Sequence, residues 1–139
     1  MRAMARPTEA RLANSVLRRA AVLAAGLCAS AGHAAGAIKV DNTLAQCVTL
    51  DPGMRATTDG QVLLQARFNV RQSIGHCGCK SAIATYTSQV ELAGAQRSFL
   101  QSGSLRLKES GVRTLTLASD EQLVGEGSVV VSLGCARPD

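Results

Sequence analysis

Aromatic side chains are nearly absent from this chain of 139 residues, which contains no tryptophan, one tyrosine and two phenylalanines. A hydrophobic core formed by this sequence therefore depends on valine, leucine, isoleucine and alanine. Each fully buried aliphatic side chain contributes roughly 1.5–3 kcal/mol before the loss of conformational entropy is subtracted. The composition thus predicts a modest core that would gain from covalent cross-links.

Histidine is also scarce, because the chain contains only His33 and His76. His33 falls in an N-terminal segment that we interpret below as a leader. Any Ser–His or Cys–His mechanism in the remaining chain would therefore have to use His76, and no recognisable catalytic set accompanies it. We expect a protein that is not an enzyme and that holds no cofactor.

Long hydrophobic runs are missing as well. Crossing a bilayer takes about 20 consecutive apolar residues, and the shorter run Ala20–Leu27 follows a basic start with five arginines. Small residues over 29–36 come next, and this order is typical of a secretory signal peptide. We predict a signal peptide over residues 1–34, cleavage near Ala34, and one periplasmic or secreted domain over residues 35–139.

An excess of positive charge is absent once that leader is set aside. Residues 1–34 contain five arginines and one glutamate, whereas residues 35–139 contain ten Lys or Arg and nine Asp or Glu. The formal net charge of +5 for the whole chain therefore falls to +1 for the predicted domain. A basic surface for nucleic acid or an anionic membrane is not indicated, so we expect no nucleic-acid partner and no transmembrane segment.

Alternation of apolar and polar residues is the main pattern that is present. It is clearest over Gln61–Arg71 and repeats over Ser81–Leu92, which predicts half-buried strands. Shorter strands are predicted at Arg97–Leu100, Leu105–Lys108 and Val112–Ala118, and the serine-glycine pairs between them predict turns at Gln101–Gly103 and Glu109–Gly111.

Two further strands are predicted at Leu44–Leu50, closed by a turn at Asp51–Gly53, and at Val129–Leu133. The total is about seven strands, with no convincing helical period. Seven short strands in this length predict an all-β domain, an immunoglobulin-like antiparallel β-sandwich cross-linked by disulfides. A small closed barrel is the alternative.

Four cysteines remain after Cys28 is removed with the leader. In a short exported domain such a set predicts two disulfides. A bond between Cys77 and Cys79 would close a very tight, strained ring, so we expect one of them to pair with Cys47 and the other with Cys135. The sequence leaves open which cysteine of the close pair takes which partner.

The same segment supports two alternative functions. His76, Cys77 and Cys79 offer one imidazole and two thiolates, a ligand set suited to Cu(I) or Zn²⁺. This alternative is a periplasmic metal-binding protein. The loop Ser73–Lys80, held by its cysteines, could instead enter the cleft of an enzyme, which would make the protein a small inhibitor.

The sequence CGCKSA at residues 77–82, followed by Tyr86, resembles small exported bacterial proteins of unknown function. The resemblance covers most of the predicted domain. It implies an exported, cysteine-linked β fold and no particular activity. Together with the missing catalytic residues, it leads us to expect a non-enzymatic binding or structural module. Its partner would be an unknown envelope or extracellular protein, met through sheet edges or end loops.

The intact mass of the exported protein, measured without reductant and with thiol labelling, tests these expectations together. We expect a mass four protons below that of the reduced chain, with no labelled thiol, because two disulfides would consume all four cysteines. Two labelled thiols and the mass of a bound metal would instead favour the metal-binding alternative.

Overall fold

The computed structural model describes residues 36–137, so the predicted signal peptide over residues 1–34 and its cleavage near Ala34 lie outside the described residues. The described chain forms seven strands and three 3-10 turns of three or four residues, and none of these turns could cross a membrane. The strands are β1 (Ile38–Asn42), β2 (Val48–Thr58), β3 (Gln61–Val70), β4 (Ile83–Glu91), β5 (Arg97–Arg106), β6 (Gly111–Ala118) and β7 (Val129–Cys135).

Two separate sheets contain all the described strands. One sheet has the order β1-β7-β4-β5 and the other has the order β2-β3-β6. β1 pairs with β7 in parallel, whereas every other pair is antiparallel. The predicted all-β sandwich is confirmed, and the alternative of a small closed barrel is not what the described residues form.

The core lies between the sheets and is aliphatic, as the composition predicts. In β3, Val62, Leu64, Ala66 and Phe68 are at most 1% exposed, and the residues between them face outward. The inner face of β7, including Val131 and Leu133, is equally buried. The period of two in the sequence therefore identifies the inner face of β3 correctly.

β5 corrects one of the sequence-based predictions. The predicted turn at Gln101–Gly103 is wrong, because the chain continues as one strand through these residues. Gly103 pairs with Tyr86 of β4, and a Cβ atom at Gly103 would lie 2.5 Å from the Cε1 atom of the tyrosine ring. The glycine is therefore needed to leave space for the buried ring and does not mark a turn.

The Tyr86 ring also joins the two sheets. It is 6% exposed, and its hydroxyl group donates a hydrogen bond of 3.0 Å to the carbonyl oxygen of Thr116 in β6. Burial raises the pKa of Tyr86 above its ordinary value. The phenol therefore stays protonated through the neutral range and keeps its bond to the opposite sheet.

Ser88 provides a second polar link between the sheets. It is the buried polar side chain of the described residues, and it lies where the register of β4 and β5 shifts. Its hydroxyl group is 3.3 Å from the carbonyl oxygen of Gln101 and also within hydrogen-bonding distance of the carbonyl oxygen of Leu117. Its single proton can satisfy either carbonyl group, so the irregular position carries no unpaired buried polar side chain.

The N-terminal half differs from the predicted strands in three places. The strand predicted at Leu44–Leu50 begins only at Val48, because residues 43–47 form a turn. The turn predicted at Asp51–Gly53 is wrong, because β2 runs through it with a register shift between Pro52 and Arg55. β1 was not predicted, since its five residues contain only two alternating apolar side chains. The predicted total of seven strands agrees with the structure only because two errors cancel: β1 is missed, and β5 is divided in two by the predicted turn at Gln101–Gly103.

Two disulfides close one end of the sandwich. Cys47 pairs with Cys77, with 6.2 Å between the Cα atoms, and Cys79 pairs with Cys135, with 5.2 Å between the Cα atoms. The bridges join positions 30 and 56 residues apart. The structure therefore distinguishes between the two pairings that the sequence left open.

Replacing Gly103 tests the packing of the tyrosine ring. Gly103→Ala should lower the free energy of unfolding by about 1–3 kcal/mol, because the new methyl group would overlap the ring. Gly75→Ala is the matched control, since its nearest contact would be an ordinary 3.5 Å to the Oγ atom of Ser73. In a Tyr86→Leu background the penalty should shrink, and an unchanged penalty in urea unfolding would contradict the assigned contact.

Paired cysteine substitutions test the disulfide connectivity. Cys47→Ser with Cys77→Ser should leave no free thiol, whereas Cys47→Ser with Cys79→Ser should leave two. Removing either bonded pair of cysteines should lower the free energy of unfolding by about 4 kcal/mol, because a loop of this length regains entropy in the unfolded chain. Thiol labelling after purification without reductant gives the count, and two free thiols in the first variant would contradict the pairing.

Candidate functional site

The segment that contains the cysteine cluster is rigidly held. It leaves β3, forms a 3-10 turn over Ile74–Cys77, and ends at Gly78, whose φ of 89° suits a glycine. Ile74 is fully buried, and the backbone N–H of Arg71 donates to the carbonyl oxygen of Cys47 at 2.8 Å. Packing, backbone hydrogen bonds and a disulfide therefore fix this loop from both sides.

The three predicted metal ligands are close in sequence but differ in their surroundings. The sulfur atoms of Cys77 and Cys79 are bonded to different partners, so neither is a thiolate, and His76 is exposed to solvent. Within residues 36–137, no group of three or more His, Cys, Asp or Glu side chains could hold a metal ion. Metal binding by this cluster would therefore require prior reduction of both disulfides.

The candidate inhibitor loop Ser73–Lys80 exposes His76 and Lys80 on this rigid support.

The edges of the two sheets provide the next candidate site. Exposed strand edges attract other strands, and proteins protect them with charges, proline, bulges or short length. β1 has only five residues, of which Lys39 and Asp41 are charged. β2 contains Asp51, Pro52 and a register shift, and β6 carries Arg113 in register with the buried Ala66. These three edges are therefore protected.

β5 is the described edge strand that lacks most of these protections. It has ten residues, and the eight between Arg97 and Arg106 include no charged residue and no proline. The extra residue at Leu100 makes a bulge, after which Gln101–Arg106 runs in regular register with β4. On the other side of the bulge, the side chain of Phe99 is 61% exposed. The regular part of this edge is open to another strand.

The hydrogen-bond pattern identifies the backbone groups at this edge. In an antiparallel pair, the N–H and C=O groups of one residue point to the same side, and that side alternates along the strand. The N–H of Leu107, just after β5, donates a hydrogen bond of 3.0 Å to the carbonyl oxygen of Ala82, just before β4. By alternation, Leu105 and Gly103 also bond to β4. The residues whose backbone groups face away from β4 are Ser102, Ser104 and Arg106.

Basic side chains surround this part of the edge. Ser104 lines two shallow depressions, one on each face of β5. Lys80 and Arg137 line the first, on the outer face of the sheet. The second opens toward β6, and the basic residues in its lining are Arg106, Lys108 and Arg113. Five cations and one carboxylate, that of Glu109, therefore meet around the end of β5.

The charges at the opposite end of the sandwich are arranged differently. There Lys39 pairs with Glu91, and Arg97 pairs with Asp41 at 2.9 Å. The basic side chains around Ser104 form no comparable ion pair with another described residue. We call the set Lys80, Arg106, Lys108, Arg113 and Arg137 the basic cluster. A near-zero net charge thus conceals a local excess of positive charge.

This arrangement can bind an extended polypeptide. Unpaired backbone groups can form a ladder with an added strand, and the depressions can receive its alternate side chains. Sequence reasoning does not identify Ser102, Ser104 and Arg106, because the serine-glycine pair at 102–103 predicts a turn there. The available signal was the long uncharged interval between Arg97 and Arg106.

Comparisons with known proteins identify a family and give no relative of known activity. No match was found among curated proteins or among solved structures. A family model described as "Uncharacterized protein conserved in bacteria (DUF2195)" matches residues 22–138, which include all four disulfide cysteines and the whole of β5. The match covers most of the chain, and the protein therefore belongs to this family of bacterial proteins.

Proposed function

We propose that this protein is a non-enzymatic binding module of the bacterial envelope, which holds a protein partner by adding a strand of that partner to β5. The observation that carries the proposal is the edge at Ser102, Ser104 and Arg106. The backbone N–H and C=O groups of these three alternate residues face away from β4 and lack a strand neighbour. Main-chain hydrogen bonds would supply affinity, and the two depressions beside Ser104 would select side chains.

The strand behind this edge is well supported, which favours binding. Tyr86 and Ser88 of β4 link the sheets directly behind Gly103 and Gln101. A binding edge that is already ordered loses little conformational entropy when a partner is added. β5 would therefore act as a preformed template for the incoming strand.

The proposed compartment rests on separate observations. Two disulfides in one small domain are typical of proteins that fold in an oxidising environment. The order of basic, apolar and small residues over 1–34 is that of a signal peptide. Both observations support a periplasmic or secreted location for the working protein.

Photocrosslinking in living bacteria tests the docking edge. A photoreactive residue at Ser102 should yield a discrete crosslinked species, because this position faces the added strand. The same residue at Thr114, which is exposed on the outer face of the other sheet, is the control and should yield none. Denaturing electrophoresis of envelope fractions distinguishes the two results.

A proline substitution makes the test specific for strand addition. Ser104→Pro removes one N–H from the free edge without removing a bond to β4, and edge strands tolerate proline. It should abolish the crosslink at Ser102 while leaving the thermal midpoint nearly unchanged, whereas Ser104→Ala should leave both unchanged. A crosslink that survives Ser104→Pro would contradict docking through the backbone of β5.

A further inference from the structure

We infer that the segment added to β5 carries adjacent acidic residues at the end that lies beside Arg106. This inference rests on the proposed strand addition, and it specifies the chemistry of the partner. It is carried by the position of the basic cluster, which surrounds one end of the open edge and is absent from the other. An uncharged partner strand would leave this cluster with Glu109 as its one nearby carboxylate among the described residues.

The two depressions explain why the acidic residues should be adjacent. Successive side chains of a strand point to opposite faces. One depression lies on the outer face of the sheet beside Ser104, with Lys80 and Arg137, and the other opens toward β6, with Lys108 and Arg113. Two consecutive acidic side chains of an added strand would therefore each face a pair of cations.

The charges also select against a second copy of this chain as the occupant. β5 contains no acidic residue, and its charged residues are Arg97 and Arg106. Pairing β5 with the same strand of another copy would bring Arg97 of that copy near the basic cluster and would neutralise none of its charge. A different protein segment with acidic side chains fits the site better.

The expected gain in affinity is moderate, because the basic side chains are mostly exposed. Ion pairs at such positions each change an equilibrium by about 1.4- to 5-fold. Two carboxylates should therefore strengthen binding by about tenfold at low salt, and the gain should shrink as salt screens the charges. The backbone ladder would provide the remaining affinity and would not depend on salt.

Synthetic peptides give a direct test with the disulfide-bonded domain. The probes are short alternating Val-Thr peptides with blocked ends, which carry either two glutamates or two glutamines at each end, so that one pair lies beside Arg106 in either strand direction. Binding is followed by the NMR amide signals of Ser102, Ser104 and Arg106. We expect both peptides to shift these signals, with the glutamate peptide binding about tenfold more tightly at low salt.

Variants separate the charge from the backbone. Lys80→Gln with Lys108→Gln takes one cation from each depression and should remove most of the advantage of the glutamate peptide. Lys39→Gln is the matched control, because Lys39 already pairs with Glu91 at the opposite end, and it should change neither peptide's affinity. Ser104→Pro should abolish binding of both peptides.

The outcomes distinguish the inference from the proposed function. Equal affinities for the two peptides, with shifted amide signals, would overturn the acidic partner and leave strand addition intact. If neither peptide shifts the three amide signals, strand addition itself is overturned. Binding of the glutamate peptide that survives Ser104→Pro would reveal charge attraction to the basic cluster alone, as any anionic polymer would show, and would overturn the inference.

Discussion

The packing of the Tyr86 ring over Gly103 is the interaction on which the rest of this sandwich depends. The ring fills space that a Cβ atom at position 103 would occupy, and its hydroxyl group reaches Thr116 of the opposite sheet. In a core with so few aromatic side chains, Tyr86 combines a nearly buried ring with a hydrogen bond between the sheets. Beyond its bulge at Leu100, β5 stays in regular register with β4 beside this ring, and its outer backbone groups form a continuous edge.

The disulfides give this edge its charged surroundings. Cys79 and Cys135 are 56 residues apart in the chain, and their bond brings the neighbouring Lys80 and Arg137 to one depression. The connection from β5 to β6 adds Lys108 on the other face of the strand. The cysteine cluster thus contributes to the candidate site by positioning cations, while its sulfur atoms remain committed to structural bonds.

An open strand edge is costly for a protein in general, since it invites aggregation. In this sandwich β1, β2 and β6 carry charges, a proline, a register shift or short length, whereas β5 is left with a single bulge. This difference between β5 and the three protected edges is the reason to consider β5 as a binding site. Basic residues at the end of β5 also discourage pairing between identical copies, which limits self-association at the same site.

The amino-acid sequence alone was enough to identify the features that depend on local pattern: the β class, the inner face of β3, and a pair of disulfides. Alternation with a period of two reports which face of a strand is buried, and it needs no knowledge of the neighbouring strands. The role of Gly103 could not be predicted in this way, because a glycine that admits a ring from another strand looks the same in sequence as a glycine in a turn. The cysteine pairing, the open edge of β5 and the basic cluster become visible only in the folded protein. Each depends on distances between residues far apart in the chain, which local composition and net charge do not contain.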